Sequence, residues 1–289
     1  MDIRKYGRAV PQAALMIVCL AVALSAGAQD AAAPTIQASV DWTAGIMHAR
    51  VSVDIVAAGI RLPSGRTEAE RLLERSASDL VEPTVLAIAV DSYRTVADTL
   101  DDGSLDTAGF RAYLDSGVKR QTAMSADGRS LSSEFEWKLA DLAGLYVRHS
   151  APLDLPPAGA YVPTKSYTGI VVYLKGDLPV RGEHDHAQLQ PCLFPKLWDE
   201  NMNVLMDRNR MSPELLSAWG PVAYATDAGD PSLFWRVGDD PLRVMAQSIF
   251  GSFKTDAVIT RADAQRILGD PVNRSLIRDG RIVFVVDQP

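Results

Sequence analysis

Cysteine is almost missing from this chain of 289 residues: Cys19 and Cys192 are the two it has, and histidine occurs four times. Two cysteines exclude a disulfide framework. Blocks of Lys and Arg with interleaved aromatics are also missing, and the formal net charge is -7. A surface that tracks phosphates is thereby excluded, and nucleic-acid partners with it. Beyond the N-terminal segment no long apolar run occurs, so the sequence predicts no transmembrane segment in the rest of the chain. The common catalytic signatures are absent as well. There is no Gly-x-Ser-x-Gly elbow, no Gly-x-x-x-x-Gly-Lys-Ser/Thr phosphate loop, no Gly-x-Gly-x-x-Gly after a strand and no His-Glu-x-x-His. The sequence is read as non-catalytic and as needing no cofactor. The acidic pairs Asp101-Asp102 and Asp239-Asp240 read as solvated turns.

What is present begins with a leader. Arg4, Lys5 and Arg8 form a positive start, AALMIVCLAVA is a short apolar core, and Ala26-Gly27-Ala28 supplies the small residues of a cleavage site. Residues 1–28 are read as a signal peptide. A membrane anchor needs roughly 20 apolar residues, and a lipid anchor needs a small residue before the modified cysteine, where Cys19 follows Met16-Ile17-Val18. Cleavage removes three basic residues and one acidic one, taking the charge from -7 to -9, and leaves Cys192 unpaired. The expected location is periplasmic.

With 47% apolar and 22% charged residues the chain is that of a folded protein. IMHARVSVDI alternates, with Met47, Ala49, Val51, Val53 and Ile55 on one side and His48, Arg50, Ser52 and Asp54 on the other, which predicts a half-buried strand after a Thr43-Ala44-Gly45 turn. From Arg66 the period turns helical, with Ala69, Leu72, Leu73, Ala77 and Leu80 on one stripe. Pro83 interrupts it, and PTVLAIAVDSYRTVADTL is read as a second helix, followed by a short one near Thr107–Leu114. VKRQTAM and SLSSEFEWKL flank the turn Ser125-Ala126-Asp127-Gly128 as a second hairpin, with Trp137 in the core. Residues 29–150 thus form an α+β domain of hairpin, helices and hairpin. APLDLPPAGAYVPTKSY marks a Pro-rich linker at 151–166. Residues 167–289 form a second α+β domain. YTGIVVYLKG and RIVFVVD read as strands buried on both faces. MSPELLSAWG is a helix started by Ser212-Pro213, and TRADAQRIL is a helix capped by Thr260 and Asp263. The expected fold is α+β in two domains, each an antiparallel or mixed sheet with helices packed on one face.

One stretch carries metal-like chemistry. GEHDHAQLQPC places His184 and His186 two residues apart, on one side of an extended segment, with Glu183, Asp185 and Cys192 nearby. That spacing suits two ligands of a zinc ion, although a structural site wants four, and a lone cysteine beside Leu-Phe behaves as a small hydrophobe. The stretch is polar and bounded by proline, and a solvated loop is the favoured reading of the same residues.

YTGIVVYLKG, LFPKLWDENMNVLMD, GPVAYATD, RVGDDPLRVMA, TDAVITRADAQRIL and RIVFVVD, in that order, resemble a small-lipoprotein family, the Lpp-twenty-like family, which includes relatives of the flagellar assembly protein T. DWTAGIMHA and AVDSYRTVAD extend the resemblance into the first half. Its recurring positions here are Trp42, Gly45, Tyr93, Gly169, Pro195, Asp199, Pro241 and Asp287, all turn or core types, and it supplies no catalytic residue. Gly182 to Pro191 is extra length, so His184 and His186 lie outside the matched pattern. The resemblance implies an exported envelope protein that works through protein contacts, with envelope or flagellar-motor proteins as partners and self-association as a further option. Two other expectations stand beside it: a metal-binding protein or metal-dependent hydrolase using His184 and His186, and a small-ligand or glycan binder with the cleft beside the linker, favoured by exposure of Trp198 or Trp219.

Overall fold

A computed structural model describes residues 33–61 and 63–287. The leader therefore lies outside the described residues. The chain folds as two α+β domains. In the first, β1 (Thr35–Asp41) and β2 (Ile46–Asp54) form a hairpin about Gly45, whose φ of +68° suits a residue without a Cβ. Helix α1 (Arg66–Leu86), α2 (Val96–Asp101) and α3 (Thr107–Asp115) follow. A second hairpin, β3 (Val118–Met124) and β4 (Ser130–Lys138), leads into α4 (Leu139–Gly144). The sheet order is β1-β2-β4-β3, antiparallel throughout.

The alternation of β2 decides its facing. Met47, Ala49, Val51 and Val53 are buried against α1, while His48 and Arg50 meet Glu136 and Glu134 on the open face. From the other side, α1 supplies Ala69, Leu73, Ala77, Val81 and Val85, one fully buried residue per helical turn. Trp137 is 2% exposed and donates its indole N–H to the Leu114 carbonyl at 2.9 Å.

The second predicted helix is corrected by the structure. Helix α1 runs through Pro83 and ends at Leu86, and the chain from 87 to 95 is a turn. Asp91 is the cause. One of its carboxylate oxygens accepts from the Tyr93 and Arg94 backbone N–H groups, and the other accepts from the Arg94 guanidinium at 2.7 Å. Side-chain hydrogen bonds of this kind compete with the helical ladder. Helicity restarts at Val96, where Thr95 and Asp98 cap α2 reciprocally.

The second domain is built on a seven-stranded mixed sheet. It begins with β5 (Ile170–Tyr173), a small outlying hairpin of β6 (Leu178–Pro179) and β7 (His186–Ala187), and then β8 (Leu197–Asp199) and β9 (Val204–Met206). Next come α5 (Pro213–Trp219), β10 (Ala223–Ala225), α6 (Phe234–Val237), β11 (Leu242–Phe250) and β12 (Asp256–Ile259). The chain ends with α7 (Arg261–Leu268), α8 (Pro271–Arg278) and β13 (Ile282–Val285). Sheet order is β10-β13-β5-β11-β12-β8-β9, parallel from β10 to β11. As their continuous apolar runs predict, β5 and β13 are buried on both faces. Ile170 and Val172 enter the main core, whereas Val171, Val283 and Val285 pack on Leu233 and Val237 from the α6 side. Gly169 permits that second packing, since a Cβ there would lie 2.5 Å from the Val237 Cα.

The two domains share one core. Leu193 and Phe194 donate their N–H groups to the Ala89 and Val90 carbonyls across the junction, at 3.0 and 2.9 Å. The Tyr146 ring stands edge-on to Phe194 at 5.6 Å, and α4 packs against α5. The Pro-rich segment from Ala151 to Ser166 lies extended along the second domain, with Leu153 bonded to Asn209 and Ala158 to Leu268. No helix among the described residues is long and apolar enough to cross a membrane.

Candidate ligand-binding site

The cleft of about 380 Å3 at the junction draws its walls from five separate stretches of chain. The first domain contributes Trp42, from the turn after β1, and Lys138 with Leu139, where β4 passes into α4. The second contributes Cys192, the segment Trp219–Tyr224 that runs from the end of α5 into β10, and Trp235 with Arg236 from α6. Its size falls within the ~300–1,000 Å3 range of small-molecule sites.

Aromatic packing shapes it. Trp42 meets Tyr224 edge-on, ring centroids 5.7 Å apart, and Tyr224 meets Phe284 in the same way at 6.2 Å. The Tyr224 hydroxyl is buried. It accepts from the Cys192 N–H at 3.0 Å and donates to the Cys192 carbonyl at 3.1 Å, and burial raises its pKa. On the opposite wall Trp219 and Trp235 stand 5.0 Å apart, inclined at 45°, with Trp235 56% exposed at the rim.

Arg236 holds that wall together. It is 2% exposed and stands over both indoles, with Cζ 5.2 Å from the Trp219 centroid and 5.8 Å from that of Trp235. Its Nε donates to the Gly280 carbonyl at 2.7 Å, and its two terminal nitrogens donate to the Trp219 and Gly220 carbonyls at 3.0 and 2.9 Å. Those last two are unsatisfied carbonyls at the C-terminus of α5, where a cation is favoured. Burial lowers the Arg236 pKa to about 9, which leaves it charged at neutral pH.

The histidines predicted as metal ligands lie elsewhere. His184 and His186 are both exposed on the β6–β7 hairpin, and Glu183 there is paired with Lys254 at 2.8 Å. Cys192, their expected companion, is 1% exposed beneath Tyr224, and burial raises its thiol pKa far above the ordinary range. Among the described residues no three His, Cys, Asp or Glu side chains gather where a metal ion could be held. The acidic pairs are exposed, Asp102 accepting from the Ser104 N–H and Asp240 paired with Lys165 at 2.5 Å.

The two tryptophans named as indicators of a binding cleft have different fates. Trp219 is half-buried in the cleft wall. Trp198 is half-buried away from it, its indole N–H given to Asp256 at 2.9 Å and its ring edge-on to Phe250. Trp235 and Arg236 were missed as site residues. The Arg-Val-Gly-Asp-Asp-Pro-Leu run containing Arg236 reads as a motif, but its helical turn brings the arginine under the cleft only through the α5 and Gly280 carbonyls. Of the recurring positions of the resemblance, Trp42 and Gly45 line the cleft, and Asp199 and Asp287 close turns by accepting backbone N–H groups.

Each half matches a domain of Treponema pallidum Tp0624. Residues 33–145 match the family model of the Tp0624 N-terminal domain, and residues 169–288 match that of its second domain. The Tp0624 boundaries leave the Pro-rich segment between the two matches, and the cleft forms where the two Tp0624-like halves meet. No curated protein matches the chain. The likeness to the Lpp-twenty-like family remains one of motifs.

Proposed function

We propose that this is an exported, non-catalytic binding protein of the cell envelope, and that its working site is the cleft between the two domains. The observation that carries this reading is the composition of the cleft wall. Three tryptophans line it, its charged side chains are Lys138 and Arg236, and among the described residues no His, Asp or Glu lines it. Such a surface offers flat apolar faces and fixed donors, which suit recognition. It offers no paired acid and base of the kind that moves protons in a reaction, and the buried Cys192 thiol is a poor nucleophile. The leader supports export. The flagellar-motor partner rests on motif resemblance alone, and we propose the envelope without the motor.

Thermal-shift screening of the purified chain against neutral and charged sugars and small ring compounds tests the reading. Ligands that raise the melting temperature of the natural chain and fail to raise that of Trp235→Ala support it. A panel that shifts both equally, or neither, overturns it.

A second reading keeps the protein contacts but moves them to the rim. Phe234 and Trp235 are 61% and 56% exposed on adjacent positions of α6, and aromatic side chains of this kind anchor protein interfaces. An envelope protein retained by the natural chain and lost with Phe234→Ala would favour it.

A further inference from the structure

A second cleft, of about 450 Å3, lies between the Pro-rich stretch 152–157 and α8, and it shares no lining residue with the cleft at the junction. Three arginines line it in a chain whose overall charge is -7. Arg274 and Arg278 come from α8, four residues apart, so they stand on one face of the helix with Cβ atoms roughly 5–6 Å apart. Arg210 comes from a different element, the single helical turn Arg208–Arg210 ahead of α5.

The fold uses some of their donors and leaves others open. Arg210 donates through Nη1 to the Asp154 carbonyl at 3.0 Å, and Arg274 through Nη1 to the Leu268 carbonyl at 2.6 Å. Arg278 donates through Nε to the Asp279 carboxylate at 3.1 Å. Among the described residues no acceptor meets Nη2 of Arg210, Nε and Nη2 of Arg274, or the two terminal nitrogens of Arg278. These atoms keep contact with solvent, and the Arg278 side chain is 55% exposed. Asp154 is the one acid on the wall among the described residues, and none of the three arginines pairs with it. Fastening the Pro-rich segment explains one donor of Arg210. It does not explain why α8 brings two further guanidinium groups to the same cleft.

We infer that this cleft binds a phosphate monoester, independently of any ligand at the junction. One guanidinium fork satisfies the two oxygens of a carboxylate. A phosphate monoester brings three oxygens and a charge of about -1.5 to -2 at neutral pH, which suits three guanidinium groups with open donors. The rest of the wall includes Leu153, Pro156 and Pro157, apolar surface for the carbon part of an ester that inorganic phosphate would leave uncovered. A single cleft of this size receives one such group and is no track for a polymer. Soluble phosphate esters and the headgroup of phosphatidic acid share this chemistry.

The test titrates the purified chain with glycerol 3-phosphate, and with glycerol as the neutral control, by calorimetry. In parallel, cosedimentation is measured with phosphatidylcholine vesicles, with and without phosphatidic acid. Binding of the soluble ester alone identifies a free metabolite as the source, binding of phosphatidic acid alone a lipid headgroup, and binding of both the shared group. Affinity should rise several-fold from pH 5 to pH 7, as the monoester gains its second charge near pH ~6. Arg274→Gln combined with Arg278→Gln should weaken binding at least about tenfold, through the loss of charge-assisted bonds. Arg278→Gln alone, at a largely exposed position, should weaken it several-fold with the melting temperature kept, which decides the matter if the double variant does not fold. Trp235→Ala, in the other cleft, should leave phosphate binding unchanged. No preference for phosphate over the neutral control in either arm overturns the proposal. Binding that is flat between pH 5 and pH 7, that survives the arginine variants, or that Trp235→Ala abolishes overturns it too.

Discussion

The Trp42 ring of the first domain stands edge-on to the Tyr224 ring of the second, centroids 5.7 Å apart at 73°. That contact forms one side of the cleft and ties it to the shared core, because Tyr224 also bonds Cys192 and packs on Phe284. Trp42→Ala should therefore lower stability as well as widen the cleft. For a half-buried indole the cost is about 1–3 kcal/mol. Chemical denaturation of the natural chain should show one transition for both domains, which Trp42→Ala shifts without splitting. Two separate transitions in the natural chain would mean that the domains are energetically independent.

A polar knot fastens the junction further along. Thr255, fully buried, donates to the Ser92 hydroxyl of the first domain at 3.1 Å, and the neighbouring Asp256 accepts from the Trp198 indole and the Lys196 N–H. Gly251 allows this approach, its φ being +98° with Ser92 Cβ 2.3 Å from where its own Cβ would be. Gly251→Ala should cost at least about 2 kcal/mol, from clash and strain together. A melting temperature within a degree of the natural chain would contradict the close contact.

Asp256 also gives the protein a pH signature. Burial raises its carboxyl pKa above the ordinary 3.8, outweighing the hydrogen bonds that lower it. A carboxyl raised in the folded state binds more protons folded than unfolded, so its contribution to stability falls as pH rises from the unfolded pKa through the folded one. Asp256→Asn loses an acceptor and is destabilised at any pH, but it does not ionise. Its deficit relative to the natural chain should be larger at pH 4 than at pH 7 in urea unfolding. A deficit that grows toward pH 7 would reverse the sign.

Cys192 should be silent in the native protein. With 1% exposure and a raised thiol pKa, it should react with a disulfide reagent only as fast as the fold opens, and at the rate of a free thiol in denaturant. Fast labelling under native conditions would show that the floor of the cleft is open.

His184→Ala with His186→Ala should leave the melting temperature unchanged, with and without added zinc, because both side chains are exposed and no third ligand is gathered there. A zinc-dependent rise that the double variant abolishes would restore the metal reading.

How much of this was legible in the sequence depends on whether a feature is local. The facing of β2 and β4 follows from period-two alternation, and the start of α5 and the cap of α7 follow from Ser-Pro and Thr-x-x-Asp. The turn at 87–95 was hidden because its residues continue a helical spacing, and Asp91 braces it through side-chain bonds that hydropathy does not register. Helix α8 carried a readable start in Asp270-Pro271 and is as long as α7, so its signal was present in the sequence and went unused. The cleft was illegible for a different reason. Trp42, Trp219 and Trp235 converge through the docking of two sheets, and patterning along a chain reports which face is buried without reporting what it meets.

The five tryptophans allow the central claim to be tested in one spectrum. In a proton–nitrogen correlation experiment each indole N–H gives its own signal, and a ligand seated in the cleft should move those of Trp42, Trp219 and Trp235 while those of Trp137 and Trp198, held by Leu114 and Asp256 away from the cleft, stay fixed. Titration with a ligand that thermal shift finds should give that three-to-two division. Saturable binding that shifts Trp198 or Trp137, and leaves the three cleft signals in place, would contradict the account.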